Sequence, residues 1–229
     1  MKKILIFTLL LCGVSSFAID WRVGVGGSYS LYAAKGEKDV KDIGGYLTLA
    51  ARESTEKLLF STGFDIHYGK SKQDSAKTNF ALGNYHLKAG FTPFSGSVKP
   101  FINLVYSWDW LLRDGAINGS NLETGLHMIG AEVQAIIKGN KSSIEYGAGY
   151  HYVFHGYHYL DKVRSSIDDY SYAINAFVGY TYELSEKLAY FVNAKAKGYF
   201  LAQSDSNTPT FSRPKTEHII AMLEVGLQF

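Results

Sequence analysis

The chain ends in His218-Ile-Ile-Ala-Met-Leu-Glu-Val-Gly-Leu-Gln-Phe229, and neighbouring positions in this stretch carry opposite chemistry. Ile219, Ala221, Leu223, Val225, Leu227 and Phe229 fall on one parity; His218, Glu224, Gly226 and Gln228 fall on the other. Successive side chains of a β-strand point to opposite faces. The alternation therefore reads as a strand held between an apolar and a polar surrounding.

Towards the N-terminus the same period recurs. It runs through Trp21 to Tyr32, Ile43 to Arg52, Leu58 to Gly69, Thr78 to Phe91 and Phe101 to Arg113. It continues through Leu122 to Lys138, Ser143 to Tyr157, Asp169 to Glu183 and Leu188 to Ala202. In the segment from Phe101, Ile102, Leu104, Tyr106, Trp108, Trp110 and Leu112 oppose Asn103, Ser107, Asp109 and Arg113. With the terminal stretch the pattern predicts ten strands, an even number that closes antiparallel and leaves no edge.

Alternation does not say which face is inside. A sandwich buries its apolar face against a second sheet, whereas a membrane barrel turns that face to lipid. Three further features favour the barrel. Each segment offers about ten alternating residues or more, the tilted span a bilayer needs. Aromatic residues gather near the segment ends, as two interfacial girdles require. Trp21, Phe91, Tyr146, Tyr182 and Phe229 form one ring; Tyr29, Tyr68, Trp108, Trp110, Phe154, Tyr170 and Phe200 form the other. Finally, the connections Ala33–Asp42, Lys70–Lys77, Asp114–Asn121, His158–Asp168 and Gln203–Glu217 are on the whole longer than Glu53–Glu56, Thr92–Lys99, Gly139–Ser142 and Leu184–Glu186. That asymmetry fits extracellular loops opposite periplasmic turns.

Composition agrees. Glycine occurs 23 times and tyrosine 17 times against only 4 prolines, which favours strands and turns over helices. The formal net charge is +2, which gives no electrostatic case for nucleic acid. Mean hydropathy is close to zero, as in a barrel whose two faces cancel. Residues 1–18 read as a signal peptide: Lys2 and Lys3 precede the apolar run Ile4 to Val14, and Ser16 and Ala18 supply small residues for cleavage before Ile19. The single cysteine, Cys12, lies in this leader, so residues 19–229 form one cysteine-free barrel domain without disulfides.

The terminal strand resembles the β-signal of Gram-negative outer membrane proteins, a final aromatic preceded by apolar residues at every second position. The matching positions are Leu223, Val225, Leu227 and Phe229. The resemblance implies recognition by the barrel-assembly machinery, with periplasmic chaperones escorting the unfolded chain. Taken with the leader and the strand pattern, residues 19–229 resemble small outer membrane barrels of the OmpA-like or opacity-like kind. The ten strands depart from the eight usual for that group.

On the polar parity the cations are Arg22, Arg52, Lys88, Arg113, Lys138, Lys195 and Lys197, and the anions Asp65, Asp109, Glu132, Glu145, Glu183 and Glu224. The two signs nearly balance. Eight strands leave room only for side chains, and aqueous pores appear near sixteen, so ten strands predict a largely plugged, charge-paired lumen. A narrow diffusion channel is the alternative. His151 and His155 share a parity with His158 beyond, a spacing that could suit a metal but more simply gives satisfied lumen histidines. Asp168 and Asp169 near His155 and His158 faintly imitate a rim hydrolase, and His127 faces lipid without a serine nearby. The expectation is therefore no catalytic residue, cofactor or metal. The partners expected are membrane lipid and the assembly factors, with the polar loops open to an extracellular ligand that their sequence does not name.

Overall fold

The computed structural model describes residues 19–73, 76–117, 119–205 and 211–229. The expected leader, with Ser16 and Ala18, lies outside the described residues. The described chain is all β: β1 (Asp20–Ala34), β2 (Val40–Ser54), β3 (Leu58–Gln73), β4 (Ala76–Phe91), β5 (Val98–Ile117), β6 (Ser120–Lys138), β7 (Ser142–Leu160), β8 (Val163–Ile167), β9 (Tyr172–Ser185), β10 (Leu188–Leu201) and β11 (Thr216–Gln228).

Ten of these strands close into an antiparallel barrel. β1 to β6 pair in chain order, β6 pairs with β7, and β7 with β9; β10 and β11 follow, and β11 returns to β1. The seam is in register, with Val23 opposite Leu227 and Val25 opposite Val225. Trp21 and Phe229 exchange both backbone hydrogen bonds, at 2.8 and 2.9 Å, and mark what is here termed the terminal rim. The opposite end is the distal rim. β8 stands outside the ring count and forms a hairpin with the distal end of β7, Gly156–Leu160.

The apolar parity faces outward. Val25, Leu47, Phe64, Ile102, Val133, Val178 and Val225 are all exposed on the outer wall. A continuous apolar belt of this kind around a closed barrel is the surface that a bilayer covers.

Three expectations need correction. Lys70–Lys77 and Asp114–Asn121 are mostly strand: β3 runs to Gln73, β4 starts at Ala76, β5 runs to Ile117 and β6 starts at Ser120. Much of His158–Asp168 is the β7–β8 hairpin. The alternation fades at these points because the wall leaves the apolar belt, not because the strand ends. Among the described residues the asymmetry between the rims is thus mainly one of strand length.

The second correction is a bulge. Met128 pairs with Val153 and His127 with His155, so Phe154 is the extra residue of β7. One inserted residue inverts the parity beyond it. His151 points inward and is buried, whereas His155 points outward and is exposed. The two do not share a face.

The third concerns the wall's ends. Lys138 and Glu183 have inward parity but sit exposed at the terminal ends of β6 and β9, where the strands run out of the barrel. They are not lumen groups.

Candidate functional site

The barrel interior is layered. In the distal half, Phe80, Leu82, Leu111, Leu126, Met128, Val153, Ile167, Tyr199, Leu201 and Ile220 form one buried apolar cluster. The alternation hides it, because these residues share parity with polar ones: Leu126 and Met128 with Glu132, Phe80 and Leu82 with Asn84. A smaller apolar cluster of Leu59, Phe101 and Ile136 lies near the terminal rim.

Between them is a cavity of about 200 Å³. Its wall carries Arg22, Arg52, Lys88, Lys195 and Lys197 together with Asp65, Glu132, Glu145 and Glu224. Burying a charge is costly unless it is paired and hydrogen-bonded, and nearly all of these are paired. Arg52 donates to Glu145 at 2.5 Å, and Arg22 approaches the same carboxylate at 3.5 Å. Lys88 pairs with Glu132, which also accepts from Asn175 at 3.0 Å. Lys195 donates to Glu224 at 2.9 Å, joined there by Tyr46 at 2.8 Å and Asn193 at 2.5 Å. Lys197 and Tyr199 both donate to Asp109, at 2.5 and 2.6 Å. Asp65 is buried on the same wall.

Towards the distal rim a second network closes over the apolar cluster. Arg113 donates to Asp42 at 2.6 Å, and Ser30 and Ser71 donate to the same carboxylate, each at 2.6 Å. The Arg113 guanidinium lies 4.0 Å above the Tyr32 ring. Arg213, from the β10–β11 connection, bonds the Tyr32 hydroxyl at 3.0 Å and grips Glu37 with two hydrogen bonds, at 2.5 and 2.9 Å.

Of the predicted lumen charges, the structure thus brings together Arg22, Arg52 and Glu145; Lys88 and Glu132; Lys195 and Glu224; and Lys197 and Asp109. It places Arg113 with a partner that sequence reading missed. From sequence alone Asp42 falls at the end of the connection Ala33–Asp42. Carrying the β2 parity of Tyr46 and Thr48 two steps further, through Gly44, would have reached it. Arg213 and Glu37 lie in connections, where no periodicity points to them.

The histidines disperse. His151 bonds Asn175 at 2.8 Å and His158 bonds Thr124 at 2.8 Å, both inside the barrel. His155 meets Arg164 at 3.2 Å outside it. Among the described residues no group of three or more His, Cys, Asp or Glu is placed to hold a metal ion. Asp168 and Asp169 stand exposed beyond β8, apart in surroundings from buried His158. His127 faces outward, with its Nδ1 3.0 Å from the Tyr106 hydroxyl.

The fold is a closed antiparallel β-barrel with an outward apolar belt, and the solved structures it resembles include outer membrane barrels. One is the outer membrane protease OmpT from Escherichia coli, at TM-score 0.59 and 9% identity, covering 93% of this chain and 98% of that one. Others are the translocator domain of the autotransporter NalP from Neisseria meningitidis (TM-score 0.46, 11% identity, 97% and 93% covered) and Neisserial surface protein A (0.41, 12%, 91% and 97%). At these identities the likeness is one of fold. No family model and no curated protein matches the chain.

Proposed function

We propose that the chain is a bacterial outer membrane protein with a structural or surface-interaction role and a lumen that passes no solute. In this reading residues 1–18 are removed on export, chaperones escort the rest, and the assembly machinery engages Leu223, Val225, Leu227 and Phe229. The distal rim faces the cell exterior.

The observation that carries the closed lumen is the apolar cluster across its distal half. A conducting path needs a continuous column of water, yet Leu82, Tyr199 and Ile220 end the polar cavity and pack into that cluster. Beyond it lies the buried Asp42–Arg113 network. Ten strands also sit close to the size at which side chains fill a barrel.

The proposal assigns no catalytic role. OmpT is a protease, but a likeness of fold does not carry an active site across. The rim set weighed from sequence is divided: Asp168 and Asp169 are exposed while His158 is buried on Thr124.

A narrow channel is the second reading, favoured by the cavity of about 200 Å³. One measurement separates them. Purified protein, shown to be folded by faster migration of unboiled than boiled sample on SDS gels, is placed in a planar bilayer. The closed-lumen reading expects a silent membrane. Stable single-channel steps would defeat it in favour of the channel.

A further inference from the structure

The outer wall of β2, β3 and β4 carries a row of like charges. Lys41 lies directly opposite Lys72, and Lys72 directly opposite Lys77. All three are exposed and share the outward parity of Ile43 and Tyr68. Directly opposed residues on antiparallel neighbours bring their Cβ atoms to about 4.5–5.5 Å, where like charges repel. A fourth lysine, Lys70, stands one pleat nearer the apolar belt and donates to the neutral amide of Asn79 at 2.7 Å. Among the described residues, none of Lys41, Lys70, Lys72 and Lys77 is in an ion pair. Among the described residues, the carboxylate beside Lys41, Asp42, points inward to Arg113, and Asp114 accepts from Asn79 at 3.2 Å.

The depth of the row is informative. Tyr68 is 63% exposed and Ile43 is 67% exposed, so the apolar belt reaches to this level. Two residues of strand advance about 7 Å, which puts Lys70 and then Lys72 one and two such steps beyond Tyr68. That is where the headgroups of a leaflet covering the belt would lie. Other exposed distal cations are Lys35 and Lys215, joined by a backbone hydrogen bond of 2.9 Å at the β1–β11 seam, and Arg164 on β8. A chain with a formal net charge of only +2 has gathered four cations on three adjacent strands. Strands lie about 4.8 Å apart, so neighbouring ammonium groups can share one phosphate between them.

We propose that Lys41, Lys72 and Lys77, assisted by Lys70, form a docking row for the phosphate groups of anionic lipid headgroups in the leaflet at the distal rim. The inference rests on the membrane reading above and adds a ligand class to it. Lipid phosphate supplies counter-charge to these lysines.

The test uses protein refolded into vesicles of phosphatidylcholine alone or of phosphatidylcholine doped with phosphatidic acid. Two readouts serve: the temperature at which the heat-modified gel band is lost, and retained lipid counted by native mass spectrometry. Wild type is compared with Lys41→Gln/Lys72→Gln/Lys77→Gln and with Lys138→Gln/Lys141→Gln/Lys187→Gln, which removes equal charge at the terminal rim. Phosphatidic acid should raise the transition of wild type and of the terminal-rim variant by several degrees, with lipid retained. In the row variant the gain should vanish and affinity for phosphatidic acid should fall by roughly fivefold per lysine, about a hundredfold in all. In phosphatidylcholine alone the row variant should be at least as stable as wild type, because the repulsion is gone. Equal gains in wild type and row variant, no gain in wild type, or the same gain from soluble inorganic phosphate would each overturn the proposal. A wild type with no heat-modified band in any vesicle would overturn the membrane reading itself.

Discussion

Arg113 on β5 reaches across the lumen to Asp42 on β2, Nη2 to Oδ2 at 2.6 Å, past two intervening strands. The two side chains are 2% and 1% exposed. Removing one partner of such a pair leaves an uncompensated buried charge, whereas removing both can be far milder. Arg113→Met should therefore destabilise the barrel by about 3–5 kcal/mol, and Asp42→Asn with Arg113→Met by clearly less. Urea titration of the folded gel band measures both. A double variant at least as unstable as Arg113→Met alone would show that the pair does not behave as a buried ion pair.

Gly26 and Gly27 are neighbours on opposite faces of the wall. A Cβ on Gly26 would stand 2.5 Å from Cε1 of Tyr46, whose hydroxyl is held by Glu224 at 2.8 Å. A Cβ on Gly27 would meet nothing closer than Gly44 O at 4.0 Å. Gly26→Ala should cost about 1–3 kcal/mol through overpacking. Gly27→Ala should be neutral or stabilise by up to about 1 kcal/mol. The same urea titration ranks them, and an equal cost at both positions would contradict the placement of the two faces.

The Phe154 bulge makes a prediction that simple alternation reverses. His151→Cys should yield a label shielded inside the barrel, while His155→Cys should yield one reached from the lipid phase or its interface. Residues 19–229 carry no other cysteine, since Cys12 is the only one in the sequence. Collision quenching of a spin label by oxygen in bilayers reads this directly. Similar quenching at both sites would mean that the register does not shift between His127 and Met128.

Phe229 contributes two kinds of contact. Its backbone bonds Trp21 in both directions, and its side chain is 57% exposed on the outer wall. Phe229→Ala keeps the backbone bonds. Refolding in vesicles should weaken by about 1–3 kcal/mol, the cost of removing an aromatic side chain from the lipid-covered wall. Assembly in cells should fall sharply if the side chain belongs to the recognition signal. Normal yields of heat-modifiable protein in cell envelopes would remove Phe229 from that signal.

The strands are legible in the sequence because the barrel's two surroundings are written into adjacent residues. Val225 and Leu227 against Glu224 and Gly226 show the pattern within four positions. Where the wall rises past the apolar belt, as at Lys70 and Lys72, the contrast disappears and strand was read as loop. Where one residue is inserted, as at Phe154, every later assignment of face inverts, which is why His155 was placed with His151.

What the sequence determined by itself is the local alternation, and with it the antiparallel sheet, its ten long strands and the outward row that ends at Phe229. Only the tertiary structure decided which charges meet and what fills the space between them. Asp42 and Arg113 are 71 positions apart, and no pattern of period two relates them. Leu126 and Glu132 share a parity, yet one enters an apolar cluster and the other a salt bridge. The parity says only that a side chain points inward. Its neighbours there come from strands across the barrel, brought opposite by closure and register.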